Sequence, residues 1–143
     1  MLWFRGVLGV AVISALACAG DGTGPDNGGS GNGAPTLSGD VQPILTANCA
    51  LSGCHAGSSP AQGMNLAEGQ THQNTVDVPS SEAAGVDRIE PGQPDESYLV
   101  HKIQGTQTSV GGSGSRMPLG GNPLTQEQID LIRAWIADGA GNN

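Results

Sequence analysis

Seven residues, Cys49-Ala50-Leu51-Ser52-Gly53-Cys54-His55, constrain this chain more than any other stretch. Two thiols and an imidazole meet there, in a protein with three cysteines and three histidines in all. Such a cluster admits three chemistries. A Cys-x-x-Cys-His run attaches haem covalently: each thiol adds to a vinyl group, and the adjoining imidazole becomes an axial iron ligand. Here four residues, not two, separate the thiols. The same two cysteines can instead close a disulfide in an oxidising compartment. They can also open a zinc site with His55 and with His72 or His101, although structural zinc sites usually add a second cysteine pair, which this chain lacks.

Composition matters because it limits how much core the chain can build. From Leu37 onward, Leu, Ile, Val and Met number 22 in 107 residues, and Tyr98 and Trp135 are the aromatic residues of that stretch. This lies close to the composition at which chains cannot bury enough surface to fold. A large apolar cofactor supplies missing core better than a zinc ion or one disulfide does. A loose, glycine-rich domain is the alternative, since the chain holds 24 glycines.

The first residues fall outside that domain. Arg5 precedes an apolar run of about a dozen residues ending Ala15-Leu16-Ala17-Cys18. This reads as a signal peptide over residues 1–17, too short to stay as a spanning helix. An apolar run ending Leu-Ala-Cys resembles a bacterial lipoprotein signal, which implies that Cys18 is acylated and becomes the new N-terminus. Ala15 stands where such signals usually carry Leu, and ordinary cleavage after Ala17 or Ala19 is the other outcome. Acylation also accounts for the odd cysteine. Residues 18–36, rich in Gly, Asp and Ser, are a flexible tether. The mature chain keeps four basic against thirteen acidic side chains, a net charge of −9. That argues against nucleic acid and against charge-driven adhesion to anionic lipid, and favours a basic partner on electrostatic grounds.

Coarse structure follows from the apolar spacing. Val41, Ile44, Leu45 and Asn48 share one face of a short helix, capped by Ser38 or Asp40 with Pro43 in its first turn, and that helix ends at Cys49. Residues 56–93 read as loop with short helical or extended turns, anchored by Met64, Leu66, Val76, Val78, Val86 and Ile89. Pro94 to Ile103 reads as a second helix stopped by Gly105. A glycine-rich loop carries Arg116-Met117-Pro118. The last helix is the clearest: Thr125 and Gln128 form a capping box, Leu124 and Ile129 a hydrophobic staple, and Gly139 ends it.

With these pieces in order, residues 37–143 resemble a small c-type cytochrome domain. A helix running into Cys49…Cys54-His55, a late Met117-Pro118 loop and the terminal helix carry the likeness. The resemblance implies a mainly α, cytochrome c-like fold: three or more short helices and long glycine-rich loops packed around one covalent haem c. Cys49 and Cys54 then form the thioethers, His55 is the proximal and Met117 the distal iron ligand, and Arg116 is a candidate contact for a haem propionate. Two departures stand out: the widened spacing, which requires the extra residues to bulge outward at Ser52-Gly53, and the lack of a proline about a dozen residues after His55. In the family a proline there holds the imidazole through its carbonyl; another acceptor is expected here. Met64 and Trp135 read as core, His101 as a partly exposed helix residue and His72 as solvated.

The implied function is one-electron transfer on the periplasmic side of a bacterial membrane, with a redox protein as partner and the N-terminal lipid as tether. Neither a Ser-His-Asp set nor a phosphate loop suggests an enzyme. A haem sensor or enzyme with an open distal position, and a non-haem lipoprotein with a Cys49–Cys54 disulfide or metal site, remain the alternatives.

Overall fold

The structure, a computed structural model, describes residues 33–143. The expected signal peptide, Cys18 and the tether as far as residue 32 lie outside the described residues. The first helical turn of the described residues is capped by Thr36. Its hydroxyl accepts from Gly39 N–H (3.1 Å), while the Asp40 carboxylate accepts from Thr36 N–H (2.7 Å) and Oγ1 (2.9 Å). The cap is therefore Thr36, and Asp40 is its reciprocal partner. Thr36 does the work expected of Ser38 or Asp40 because the chain starts with a wide π-type turn, Leu37–Val41, before α1, Gln42–Asn48. Pro43 sits in the first turn of α1, where a missing N–H costs nothing. Val41 and Leu45 are buried, and Ile44 packs on the same core.

The middle stretch is better ordered than its composition suggests. One of the short turns expected here is helical: α2, Thr71–Thr75. It is held by polar groups rather than apolar ones: Gln42 Nε2 donates to the Leu66 carbonyl (2.9 Å), and the Thr71 hydroxyl donates to Gln42 Oε1 (2.7 Å). Gln42, Thr71 and Thr75 are all buried, so their hydrogen bonds offset the cost of leaving water. Residues 76–89 then fold back on themselves through isolated pairings of Val76 with Ile89 and Pro79 with Asp87.

The helix expected from Pro94 to Ile103 is broken. Pro94–Glu96 is a single 3₁₀ turn, and α3 runs Tyr98–Gln104. Ser97 between them is extended and fully buried; its hydroxyl donates to the Gln93 carbonyl (2.9 Å) and accepts from Glu90 N–H (3.0 Å). A serine that caps the preceding loop with its side chain competes with helix at that point. A further turn, Gln107–Val110, leads into the glycine-rich loop. The last helix, α4, spans Gln126–Ala137 with the full capping box between Thr125 and Gln128.

The protein is mainly helical, with four α-helices and no strand among the described residues. Helix α4 packs against α3, the Pro94–Glu96 turn and the Leu37–Val41 turn. Ile129, Ile132 and Ile136 are buried there, and burying each side chain contributes about 1.5–3 kcal/mol before entropy is counted. Trp135 is buried with them, and its Nε1–H donates to the Gly141 carbonyl (2.9 Å). Leu37 N–H and Ser38 N–H donate to the Asn143 side chain and main chain (both 2.8 Å), joining the two ends of the described chain.

Candidate functional site

Helix α1 ends at Cys49. Its N–H donates to the Leu45 carbonyl (2.8 Å) while its backbone leaves helical geometry at φ −127°. Residues 51–54 then face solvent, and Gly53 turns the chain at φ +82°, a conformation that glycine adopts freely. His55 N–H returns to the Cys49 carbonyl (3.2 Å), so the long excursion between the thiols closes on itself. Cys49 and His55 end up buried and Cys54 exposed, with both thiols free. Burial pushes the Cys49 thiol up to about 11, and a neighbouring Cys54 thiolate adds to that push.

The His55 imidazole has a defined proton. Its Nδ1 lies 3.2 Å from the Met64 carbonyl. A carbonyl oxygen only accepts, so Nδ1 carries a proton, and in the neutral ring Nε2 then holds the free lone pair. The main chain reinforces this: Leu66 N–H donates to the His55 carbonyl and Ala61 N–H to the Cys54 carbonyl (both 2.7 Å). Met64 thus supplies the acceptor that the sequence left without a name. A main-chain carbonyl belongs to every residue, so no side-chain pattern marks it.

Met117 is fixed from the other end of the chain. Its N–H donates to the Lys102 carbonyl at the end of α3 (2.9 Å). The loop before it hangs on Tyr98 and Lys102. Lys102 Nζ donates to the Ser113 carbonyl (3.1 Å) and pairs with Glu82 (3.1 Å). Tyr98 Oη lies 3.2 Å from both Glu82 Oε2 and the Ser113 carbonyl and accepts from Ser113 N–H. Burial first, and then the Glu82 carboxylate, push the Tyr98 hydroxyl above its ordinary range. A Cβ on Gly112 would overlap the Tyr98 ring, so this close approach requires glycine.

One cavity of about 450 Å³ gathers these groups. Leu45, Cys49, Leu51, Cys54 and His55 line it from α1 and the turn after it. Gln62, Met64 and Leu66 follow from the next turn, Leu99 and Ile103 from α3, and Met117, Pro118 and Leu119 from the glycine-rich loop. Its size is that of a cofactor pocket, and its wall is mostly apolar. The basic side chains in the wall are Arg88 and Lys102. Arg116 is not among the lining residues. It is exposed, and its Nε donates to the Ile103 carbonyl (3.0 Å). Sequence reasoning missed Arg88 and Lys102 because isolated basic residues in a loop and a helix carry no motif.

The other histidines stand apart from the cavity. His101 uses both ring nitrogens, with Nε2 donating to the Asp95 carbonyl (2.9 Å) and Nδ1 accepting from Thr106 Oγ1 (2.9 Å). His72 lies on α2 and does not line the cavity. Among the described residues, no group of three or more His, Cys, Asp or Glu side chains is placed to hold a metal ion by itself. Met64 does line the cavity, although it read as core, and it also packs against the core.

No protein-family model, curated protein or solved structure matches this chain. Among the described residues, no helix is long and apolar enough to cross a membrane.

Proposed function

We propose that this protein is a one-electron carrier holding a single haem c, with a cytochrome c-like arrangement of helices and loops around it. The observation that carries the reading is one cavity lined by two free thiols, an imidazole whose Nδ1 is engaged by a carbonyl, and a thioether. That donor set suits an iron porphyrin attached through sulfur, and the largely apolar wall suits its ring. When bound, the haem supplies an iron that changes oxidation state by one electron.

The chain's own residues have separate tasks in this reading. Cys49 and Cys54 hold the ring by thioether bonds. His55 offers Nε2 as the proximal ligand, kept in the correct tautomer by the Met64 carbonyl. Met117 offers sulfur as the distal ligand; Met64 also lines the cavity, but its main chain is bound to the back of the His55 ring. Leu45, Leu66, Leu99 and Ile103 exclude water from the wall. The basic groups in the wall already have partners: Arg88 donates to two main-chain carbonyls, and Lys102 pairs with Glu82. With Met117 as a ligand, the site would carry electrons in preference to binding substrate. In the same proposal the chain is exported and held to the periplasmic face of a membrane by a lipid on Cys18. Its acidic surface suits a basic redox partner.

The test is the protein expressed with a cytochrome c maturation system. A covalent haem stain on a denaturing gel, with a mass increase of one haem, is the expected result. A colourless, folded protein with a Cys49–Cys54 disulfide would sink the proposal. High-spin ferric iron that binds carbon monoxide rapidly once reduced would replace it with an open-site sensor or enzyme.

A further inference from the structure

Arg88 lines the cavity, yet it commits its guanidinium to main-chain carbonyls. Nη2 donates to the Gln62 carbonyl and Nη1 to the Asn74 carbonyl, each at 2.7 Å. A planar fork with fixed donors can tie two backbone segments together in this way, which a lysine ammonium does poorly. One of the tied residues is unusual. Gln62 has φ 55° and ψ 21°, a left-handed conformation that residues with a Cβ adopt reluctantly. Such a conformation persists where the surroundings over-determine it. Here two contacts hold it: Arg88 on its carbonyl, and Ser81 Oγ donating to its side-chain Oε1 (2.9 Å).

The turn that Gln62 makes has a direct consequence two residues later. Gly63 continues it at φ +61°, and Met64 then presents its carbonyl to His55 Nδ1 at 3.2 Å. From this arrangement we infer that Arg88 is a positioning residue for His55. It holds the strained Ala61–Gly63 turn in the one shape that aims the Met64 carbonyl at the imidazole. Its effect on the iron rests on the proposed role of His55 as ligand; its effect on the imidazole does not. A carbonyl accepting from Nδ1–H makes the ring a stronger electron donor, which favours oxidised iron. Losing the strap therefore raises the reduction potential.

The experiment uses the full-length protein labelled with ¹⁵N-histidine and kept reduced, with haem content measured first by its pyridine haemochrome. Two quantities are read: solvent-exchange protection of the His55 Nδ1–H by NMR, and the midpoint potential by redox titration. Arg88→Ala is expected to lose about three- to tenfold in protection, as one ordinary hydrogen bond is weakened, and to shift the potential upward. Arg88→Lys, able to serve one carbonyl, falls between the two. Glycine adopts the left-handed turn without help, so Gln62→Gly added to Arg88→Ala is expected to restore much of the protection. That rescue would not occur if Arg88 acted only as a cation toward a carboxylate.

Circular dichroism identifies variants that do not fold, and Ser81→Ala then replaces Arg88→Ala as the probe of the same turn. Unchanged protection in the folded Arg88 or Ser81 variants overturns the inference, as does a loss that Gln62→Gly leaves unrepaired. A wild-type protein without haem, in which Arg88→Ala still loses protection, overturns the electron-carrier reading and leaves the strap standing.

Discussion

Cys49 and Cys54 carry the same thiol in different surroundings, and the difference is measurable. Cys54 is exposed, whereas burial holds the Cys49 thiol up to about 11 from an ordinary 9.0. In chain produced without haem attachment, alkylation at pH 8 should label Cys54 well before Cys49, read by peptide mass. The rate at Cys49 should climb only as pH approaches about 11. The sign follows for stability as well. The raised folded value favours the neutral thiol, so its contribution is complete below about pH 9 and is lost as pH rises toward 11. In the haem-loaded protein, Met117→Ala should abolish the methionine–iron charge-transfer band and open the iron to carbon monoxide, whereas Met64→Leu should keep the band. These residues were visible in the sequence because their side chains carry distinctive chemistry in a recognisable spacing. The Met64 carbonyl and the Arg88 fork were not, because the first is main chain and the second acts on main chain.

Elements were legible where local signals agreed with one another. In α4 the cap, the staple and the apolar stripe all mark the same helix, and Leu124, Ile129, Ile132 and Ile136 are buried as that pattern requires. Thr125→Ala should cost about 1 kcal/mol in urea unfolding of the intact protein, since one end of the capping box is lost. Ile132→Ala, at a fully buried position, should cost about 2–5 kcal/mol. The second helix was misjudged at its start because Ser97 closes the preceding loop with its hydroxyl, a contact to Glu90 and Gln93 that no helical period reveals. Which of the short turns in residues 56–93 would be the helical one, α2, was not legible for a related reason. Gln42, Thr71 and the Leu66 carbonyl hold it through buried hydrogen bonds, and such partners are far apart in the chain. Gly112→Ala belongs to this scale too. The new methyl group would drive the Tyr98 ring from its place, and Met117 lies in the same loop. Loss of the charge-transfer band in part of the population, seen as a mixed spectrum, is the expected outcome.

For the molecule as a whole, charge and architecture divide cleanly. Acidic residues outnumber basic ones, and Asp87, Glu90, Asp95 and Glu96 surround a surface groove that is separate from the cavity. Among the described residues, the large apolar side chains left exposed, Leu51 and Leu119, both belong to the cavity wall. Electron exchange with a cationic reagent should therefore slow as ionic strength rises, and exchange with an anionic reagent should quicken; stopped-flow rates across a salt series give the sign directly. The mainly helical class could be read from the apolar spacing of the first and last helices. How the loops close a cavity between them could not, because long-range hydrogen bonds, not local propensity, set their paths.

None of the cavity's lining residues comes from α4, and the wall's last contribution is Gly121, just before that helix begins. The closing helix is thus a clamp bolted on from behind, bracing α3 and the shared core without itself facing the cavity. Damage to it should change how often the whole assembly springs open more than it changes the cavity wall. Damage to the lining does the reverse, so melting curves and spectra report on two different stretches of the same polypeptide.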